Sequence, residues 1–322
     1  MVFQVIRPTK LSDLWNVFTE YPDAYPIAGG TDILPRLNQG IEHHDVFVSL
    51  EGIQELREIS FKEDGSVSIG ALTKLVEITE TLGLNIFKAL NHACSKVASP
   101  QIRNQATIGG NVLQENRCVY FNQSVSWRRI EPCFKLGGVR CYQYTGSPKC
   151  VALFQSDVAP VLMSYGANAV WKGARKTRTV PLSSIYMEAG KKDKAPDEIL
   201  TELIIPPFSG VLHSVYVRET IRKSFDFPLV SCALTIIEKD STIDSACMVM
   251  GSAGVMPRIV PEVGDLLLGL KINDLGAKVE ELRTIGSKVV FPFKDSRTDT
   301  VTRKNFAKAL IKKAINSIIN EQ

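Results

Sequence analysis

Two glycine pairs constrain this chain more than any other feature. Ala28-Gly29-Gly30-Thr31-Asp32 follows a short strand-like run, Tyr25 to Ala28, and precedes an apolar helical turn from Ile33 to Gln39. Successive glycines strip the backbone of Cβ atoms, so neighbouring N–H groups can converge on an anion, with phosphate the natural guest. Thr107-Ile108-Gly109-Gly110-Asn111 repeats the device eighty residues later, with a hydroxyl residue before the glycines and a side-chain amide after them. Either loop alone reads as an ordinary tight turn, whereas together they can grip a pyrophosphate from both sides. Neither is a G-x-G-x-x-G, no G-x-x-x-x-G-K-[ST] occurs, and the four histidines lack zinc-hydrolase spacing. The usual nucleotide folds are therefore disfavoured.

Periodicity around the loops is mixed. Leu11, Leu14, Trp15 and Phe18 recur at helical spacing, Val46-Phe47-Val48 and Val67-Ser68-Ile69 read as strands, and helical spacing returns through Thr73–Leu82 and Ile86–Val97 until Pro100 interrupts it. Leu162–Trp171, Val180–Ile185 and Leu200–Ile205 read as strands of one sheet, and Pro206-Pro207 marks a boundary. A further unit starts near Val211, with strand-like runs at Val215–Val217, Val230–Ile237 and Ala246–Met250. Its closing helix carries Phe306, Leu310, Ala314 and Ile318 on one stripe, while Lys304, Lys308 and Lys312 read as a solvated face.

With 44% hydrophobic and 22% charged residues over 322 positions, the chain can fill two or three cores. Its 38 basic and 34 acidic residues are spread along the sequence, which argues for no nucleic-acid partner and no membrane-surface partner. No window approaches the roughly 18 apolar residues of a membrane span, and Met1-Val2-Phe3-Gln4 does not open a secretory leader, so a soluble cytoplasmic chain is expected.

Of seven cysteines, Cys94, Cys232 and Cys247 stand singly in apolar surroundings and read as small buried hydrophobes. Cys118, Cys133, Cys141 and Cys150, separated by 14, 7 and 8 residues, lie in a stretch from Gln114 to Gln155 without useful periodicity. It reads as an inserted loop that something other than an apolar core must order. Four thiolates can ligate zinc or an iron–sulfur cluster, and unliganded thiols are a third reading. Structural zinc usually draws on Cys-x-x-Cys knuckles, which are absent, so the wide spacing suits the larger cubane. Arg128, Arg129, Lys135, Arg140 and Lys149 lie among the thiols, either as a solvated basic loop or as an attraction for an acidic carrier.

The sequence resembles the FAD-binding subunits and domains of the xanthine dehydrogenase and carbon monoxide dehydrogenase class, the molybdenum hydroxylases. The resemblance spans essentially the whole chain outside the insert. Ala28-Gly29-Gly30-Thr31-Asp32-Ile33-Leu34-Pro35 is similar to the first flavin pyrophosphate loop, and Ala98-Ser99-Pro100-Gln101-Ile102-Arg103-Asn104 running into Thr107–Asn111 to the second. Ser156-Asp157-Val158-Ala159-Pro160 resembles the segment whose aspartate bonds the cofactor, and Glu198-Ile199-Leu200 the one whose leucine packs near the flavin.

What the resemblance implies is an α+β fold, with an FAD-binding domain of the vanillyl-alcohol-oxidase/PCMH type over 1–208 and a C-terminal α+β domain over 209–322. The FAD domain comprises a small α/β unit, 1–55, and a larger unit built on a mostly antiparallel sheet, 56–208, which holds the insert at about 115–155. The implied FAD contacts are Pro26, Ile27, Ala28, Gly29, Gly30, Thr31, Asp32, Ile33, Val97, Thr107, Ile108, Gly109, Gly110, Asn111, Asp157, Leu200 and Arg218. Arg218 departs from the lysine common in relatives, and its rigid fork changes the contact geometry. No catalytic side chain is expected, because the substrate chemistry takes place on a separate molybdenum subunit.

Most flavin subunits of the family lack such an insert. The β subunits of 4-hydroxybenzoyl-CoA reductases are similar in having one, and there it carries a four-iron four-sulfur (4Fe-4S) cluster. The resemblance thus implies Cys118, Cys133, Cys141 and Cys150 as ligands, partner subunits holding molybdopterin and 2Fe-2S clusters, and reduced ferredoxin as electron donor. The reaction implied is reductive dehydroxylation to benzoyl-CoA. A flavin subunit of a purine or aromatic-heterocycle hydroxylase, and a zinc-ordered non-catalytic scaffold, stand as alternatives.

Overall fold

The structure is a computed structural model, and it describes residues 3–291 and 297–321. The chain opens as β1 (Gln4–Ile6), α1 (Leu11–Glu20), β2 (Tyr25–Ile27), α2 (Ile33–Asn38) and β3 (Val46–Ser49). The three strands form a parallel sheet in the order β1-β3-β2. Helix α1 buries Leu11 and Leu14 against Val48, Leu50 and Ile53, as the spacing of its apolar residues demands. The first glycine loop lies where β2 ends and α2 begins.

A five-stranded antiparallel sheet follows, in the order β4-β5-β10-β6-β7. Its strands are β4 (Ile59–Phe61), β5 (Val67–Gly70), β6 (Asn168–Lys172), β7 (Thr177–Pro181) and, at the centre, β10 (Ile199–Ile205). Between β5 and β6 run α3 (Leu75–Glu80), α4 (Lys88–Lys96), α5 (Pro100–Arg103), α6 (Ile108–Leu113) and α7 (Val158–Ser164), while β8 (Tyr186–Glu188) and β9 (Lys191–Lys192) form a small hairpin. Pro100 starts α5 at the first helical position, with Ser99 as its cap, because a proline there forfeits no helical hydrogen bond.

The last unit is a four-stranded antiparallel sheet of β11 (Val211–Glu219), β12 (Val230–Lys239), β13 (Thr242–Gly251) and β14 (Arg258–Val260), with α8 (Glu262–Leu267), α9 (Val279–Lys288) and α10 (Thr300–Ile319). Alternate residues serve different cores. Tyr216, Ala233 and Val249 join the core of the five-stranded sheet, whereas Val217, Cys232, Leu234, Met248 and Met250 pack with α10, whose Leu310, Ala314 and Ile318 are buried. Coverage of both faces explains why β12 is buried continuously from Val230 to Ile237, Ser231 and Thr235 included.

Two expected strands are corrected. Leu162–Trp171 splits into the end of α7 and β6, and Val180–Ile185 leaves β7 at Pro181 for a 3₁₀ turn, Leu182–Ile185. Every residue of α7 is buried, so it shows no polar stripe, and a short apolar run of that kind has no period to tell helix from strand.

The insert forms only short 3₁₀ turns, Val125–Trp127 and Phe134–Leu136. A two-bond bridge, Arg117 N to Leu153 O at 2.8 Å and Leu153 N to Arg117 O at 3.0 Å, closes its base. Asn116, fully buried, donates from Nδ2 to the carbonyls of Ala152 and Val255.

Leu203, with no exposed surface on the central strand β10, tests this layout. Leu203→Ala should lower stability by about 2–5 kcal/mol, read from the denaturant midpoint, since truncation leaves a cavity between sheet and helices.

Candidate functional site

The two glycine loops touch. A Cβ at Gly29 would overlap the carbonyl oxygen of Gln105, immediately ahead of the second loop, so only glycine lets the loops close to this distance. Both line one cleft of about 460 Å³, between the parallel sheet and the larger unit. Among the described residues, the N–H groups of Gly29, Gly30, Thr31 and Asp32 donate to no protein acceptor. Gly30 has φ +71°, a conformation that L side chains rarely adopt. The first loop is thus a set of open donors.

The second loop differs from expectation. Its glycines lie in the first turn of α6, and its N–H groups are engaged: Ile108 N donates to Thr73 O, Gly109 N to Ala71 O and Asn111 N to Thr107 O, each at 2.9 Å, and Gly110 N to Thr107 Oγ1 at 3.1 Å. What this loop offers a ligand is close approach and the Thr107 hydroxyl, which can still donate while accepting from Gly110. Gly109 is held to glycine by packing, since a Cβ would stand 2.7 Å from Ala71 O.

Of the residues singled out from sequence, Pro26, Ile27, Ala28, Gly29, Gly30, Thr31, Asp32, Ile33, Thr107, Gly109, Gly110 and Leu200 line the cleft. Ile108 is buried in the larger core, and Val97 packs beside that core at the C-terminal end of α4. Asn111, Asp157 and Arg218 fall in a second polar group next to the cleft, joined to it through α6. There Ser156 Oγ donates to Asn111 Oδ1 at 2.6 Å, and Tyr216 Oη and Arg218 Nη1 donate to Asp157 Oδ1 at 2.6 and 2.8 Å. Burial raises the Asp157 carboxyl above its ordinary range, against the lowering pull of Arg218 and Tyr216. Two donors on one oxygen are nonetheless the geometry of a carboxylate.

Several cleft residues had escaped the sequence reading. Lys192 lies on the wall, and burial holds its ammonium down to about 8. Trp171 also lines the cleft, fully buried, and its Nε1–H has no partner among the described residues. Asp32 accepts from Arg36 at 2.5 Å, from Arg117 at 2.6 Å and from the Glu115 N–H at 3.0 Å, which ties the first loop to the base of the insert. The only sequence signal for Lys192 was the Gly190-Lys191-Lys192 turn ahead of Glu198-Ile199-Leu200. Trp171 looked like one more strand residue.

Cys118, Cys133, Cys141 and Cys150 come together around a single cavity, in company with aromatic residues that include Phe121 and Phe134. Among the described residues, no three His, Cys, Asp or Glu side chains are assembled as ligands of one metal ion. Burial pushes the Cys118 thiol up to about 11 and raises that of Cys150. Thiolates here therefore call for a compensating cation. Cys94 and Cys232 are buried in the cores as expected, and Cys247 packs beside one of them.

Residues 1–208 match the family described as the FAD binding domain in molybdopterin dehydrogenase. The chain belongs to this family. Membership identifies residues 1–208 as an FAD-binding domain of the kind found in molybdopterin dehydrogenase. It is 28% identical over 229 residues to the xanthine dehydrogenase FAD-binding subunit of Escherichia coli O157:H7, a match that spans 70% of this chain and 66%, just under two thirds, of that relative. To the glyceraldehyde dehydrogenase medium chain of Sulfolobus acidocaldarius it is 24% identical over 323 residues, covering 98% of both. Among solved structures, a chain of the reconstituted CO dehydrogenase from Oligotropha carboxidovorans superposes with a TM-score of 0.81 at 21% identity, covering 100% of this chain and 99% of that one. The fold is accordingly that of a PCMH-type FAD-binding domain. No described helix is long and apolar enough to cross a membrane.

The cleft suits the family's cofactor on its own evidence. It has open backbone donors at the first loop, room without side chains at the second, a lysine on the wall and a buried indole N–H without a partner among the described residues. Gly29→Ala should push the loops apart and cut flavin retention at least tenfold, measured as bound FAD per purified chain. Gly110→Ala, whose Cβ meets only Thr107 Oγ1 at 3.0 Å, should leave folding intact and weaken FAD less.

Proposed function

We propose that this chain is an electron-transfer subunit that seats FAD in the cleft and a 4Fe-4S cluster on Cys118, Cys133, Cys141 and Cys150. The single observation that carries this reading is the gathering of all four insert thiols around one cavity, in a segment with no core of its own. A lone tetrahedral zinc, with Zn–S bonds of about 2.3 Å, needs its thiolates drawn within roughly 4 Å of one another. A cubane instead gives each thiolate its own iron, and four thiols lining one cavity suit it.

On this reading, residues 1–208 hold the flavin and residues 209–322 form a C-terminal domain facing its ring. Pro26 to Ile33, Thr107, Gly109, Gly110 and Leu200 line the FAD seat, while Val97, Ile108, Asn111, Asp157 and Arg218 support its far end. The flavin supplies one- and two-electron exchange, and the chain's own groups bind, orient and shield it. Partner subunits carry molybdopterin and 2Fe-2S clusters, and the substrate is transformed there. The finer assignment we favour is 4-hydroxybenzoyl-CoA reductase, with reduced ferredoxin as donor. Support comes from the four-cysteine insert and from the need of a phenolic ring for strongly reducing electrons, which a cluster tuned by its surroundings can deliver. Likeness to a xanthine dehydrogenase subunit favours a second reading, a hydroxylase of purines or aromatic heterocycles, in which the insert is a docking element.

Anaerobically purified protein, examined for metals, flavin and visible spectrum, should contain about four irons and one FAD per chain. Cys141→Ser should strip the iron and spare the flavin. Zinc in place of iron would refute the cluster, and iron-free protein that retains FAD would favour the second reading.

A further inference from the structure

We propose that the partly buried ion pair between Lys135 and Glu115 lies between the two redox sites and tunes the reduction potential of the insert's cluster, its ammonium favouring the reduced state and its carboxylate opposing it. This rests on the cluster reading given above.

Lys135 occupies the 3₁₀ turn between Cys133 and Cys141, and only 9% of its side chain is exposed. Its Nζ stands 2.6 Å from Glu115 Oε1 and 5.0 Å from the centroid of the Phe121 ring, which lines the cysteine cavity. Glu115 faces the other way, on the wall of the flavin cleft, where Oε1 also accepts from the Asn116 N–H at 2.7 Å. The pair passes directly under Gly190, another cleft residue, where any Cβ would overlap both partners. Glu115 thus reaches the cleft wall, while Lys135 lies beside a ring that lines the cysteine cavity.

An arriving electron makes the cluster more negative. A nearby buried cation stabilises that state and a nearby anion destabilises it, the effect growing as solvent is excluded. The two partners must therefore act with opposite sign. A salt bridge that only braced the insert would not do so, since loss of either end would loosen the same contact.

The test is a redox titration of the intact complex, following the four-iron EPR signal in wild type, Lys135→Met, Glu115→Gln and the double variant. Lys135→Met should make reduction at least tenfold less favourable, about 59 mV for one electron, and Glu115→Gln should shift it upward. The double variant should fall between them. Unmoved potentials, or shifts of one sign, would overturn the proposal. Should Lys135→Met fail to retain its cluster, Glu115→Gln decides alone, because only an upward shift supports the role. A wild-type chain without iron would remove the cluster reading itself, and metal analysis shows this before any titration begins.

Discussion

The contact between Gly29 and the Gln105 carbonyl holds the architecture together. Gly29 belongs to the parallel three-stranded unit and Gln105 to the helical layer of the five-stranded sheet, so the cleft is as narrow as their approach permits. Only a bare Cα allows it, and the same bareness leaves the first loop's N–H groups open. Gly109 repeats the arrangement against Ala71 at the end of β5, fixing α6 onto the central sheet. The glycines thus act as packing elements first, and the ligand seat follows from the packing. Division of labour then emerges between the loops, with directional donors on one and steric room on the other.

The second constraint is the sheet that serves two cores. Because β11, β12 and β13 send alternate side chains to opposite sides, the C-terminal unit is fastened to α4 and α7 rather than tethered by a linker. That fixes Arg218 and Tyr216, on β11, against Asp157 at the start of α7. A carboxylate at the start of α7 and two donors two residues apart on β11 are thus held in one place by packing between distant parts of the chain.

Where a segment had a clear period, the sequence was legible. Helix α1 carries a clear helical stripe, and the first glycine loop lies at the strand–helix junction expected of it. Helix α7 was hidden because burial on every side erases the polar stripe from which a helix is read. The second loop's donors looked free in sequence, yet their acceptors, Ala71 and Thr73, lie in a strand end no local pattern connects to it. Lys192 and Trp171 stayed invisible for the same reason: a cleft is a property of chain crossings. Likeness to the family supplied Asp157 and Arg218, which composition and spacing would have left as a capping carboxylate and a surface cation.

The insert shows how a segment without a core can be kept in place. Its base is clamped by the Arg117–Leu153 bridge and by Asn116, and Arg117 also reaches Asp32 in the first glycine loop while stacking on Phe227 at 4.4 Å. Cys118 is the next residue. The first cysteine of the insert is therefore placed by the same carboxylate that braces the first glycine loop, one residue away along the chain. Within the insert, turns such as Phe134 N to Arg140 O and Asn122 N to Cys118 O, the Lys135–Glu115 ion pair and the aromatic rings around the four cysteines take the place of an apolar core. The cleft and the cysteine cavity share their supports, and this makes the insert a structural extension of the cleft wall.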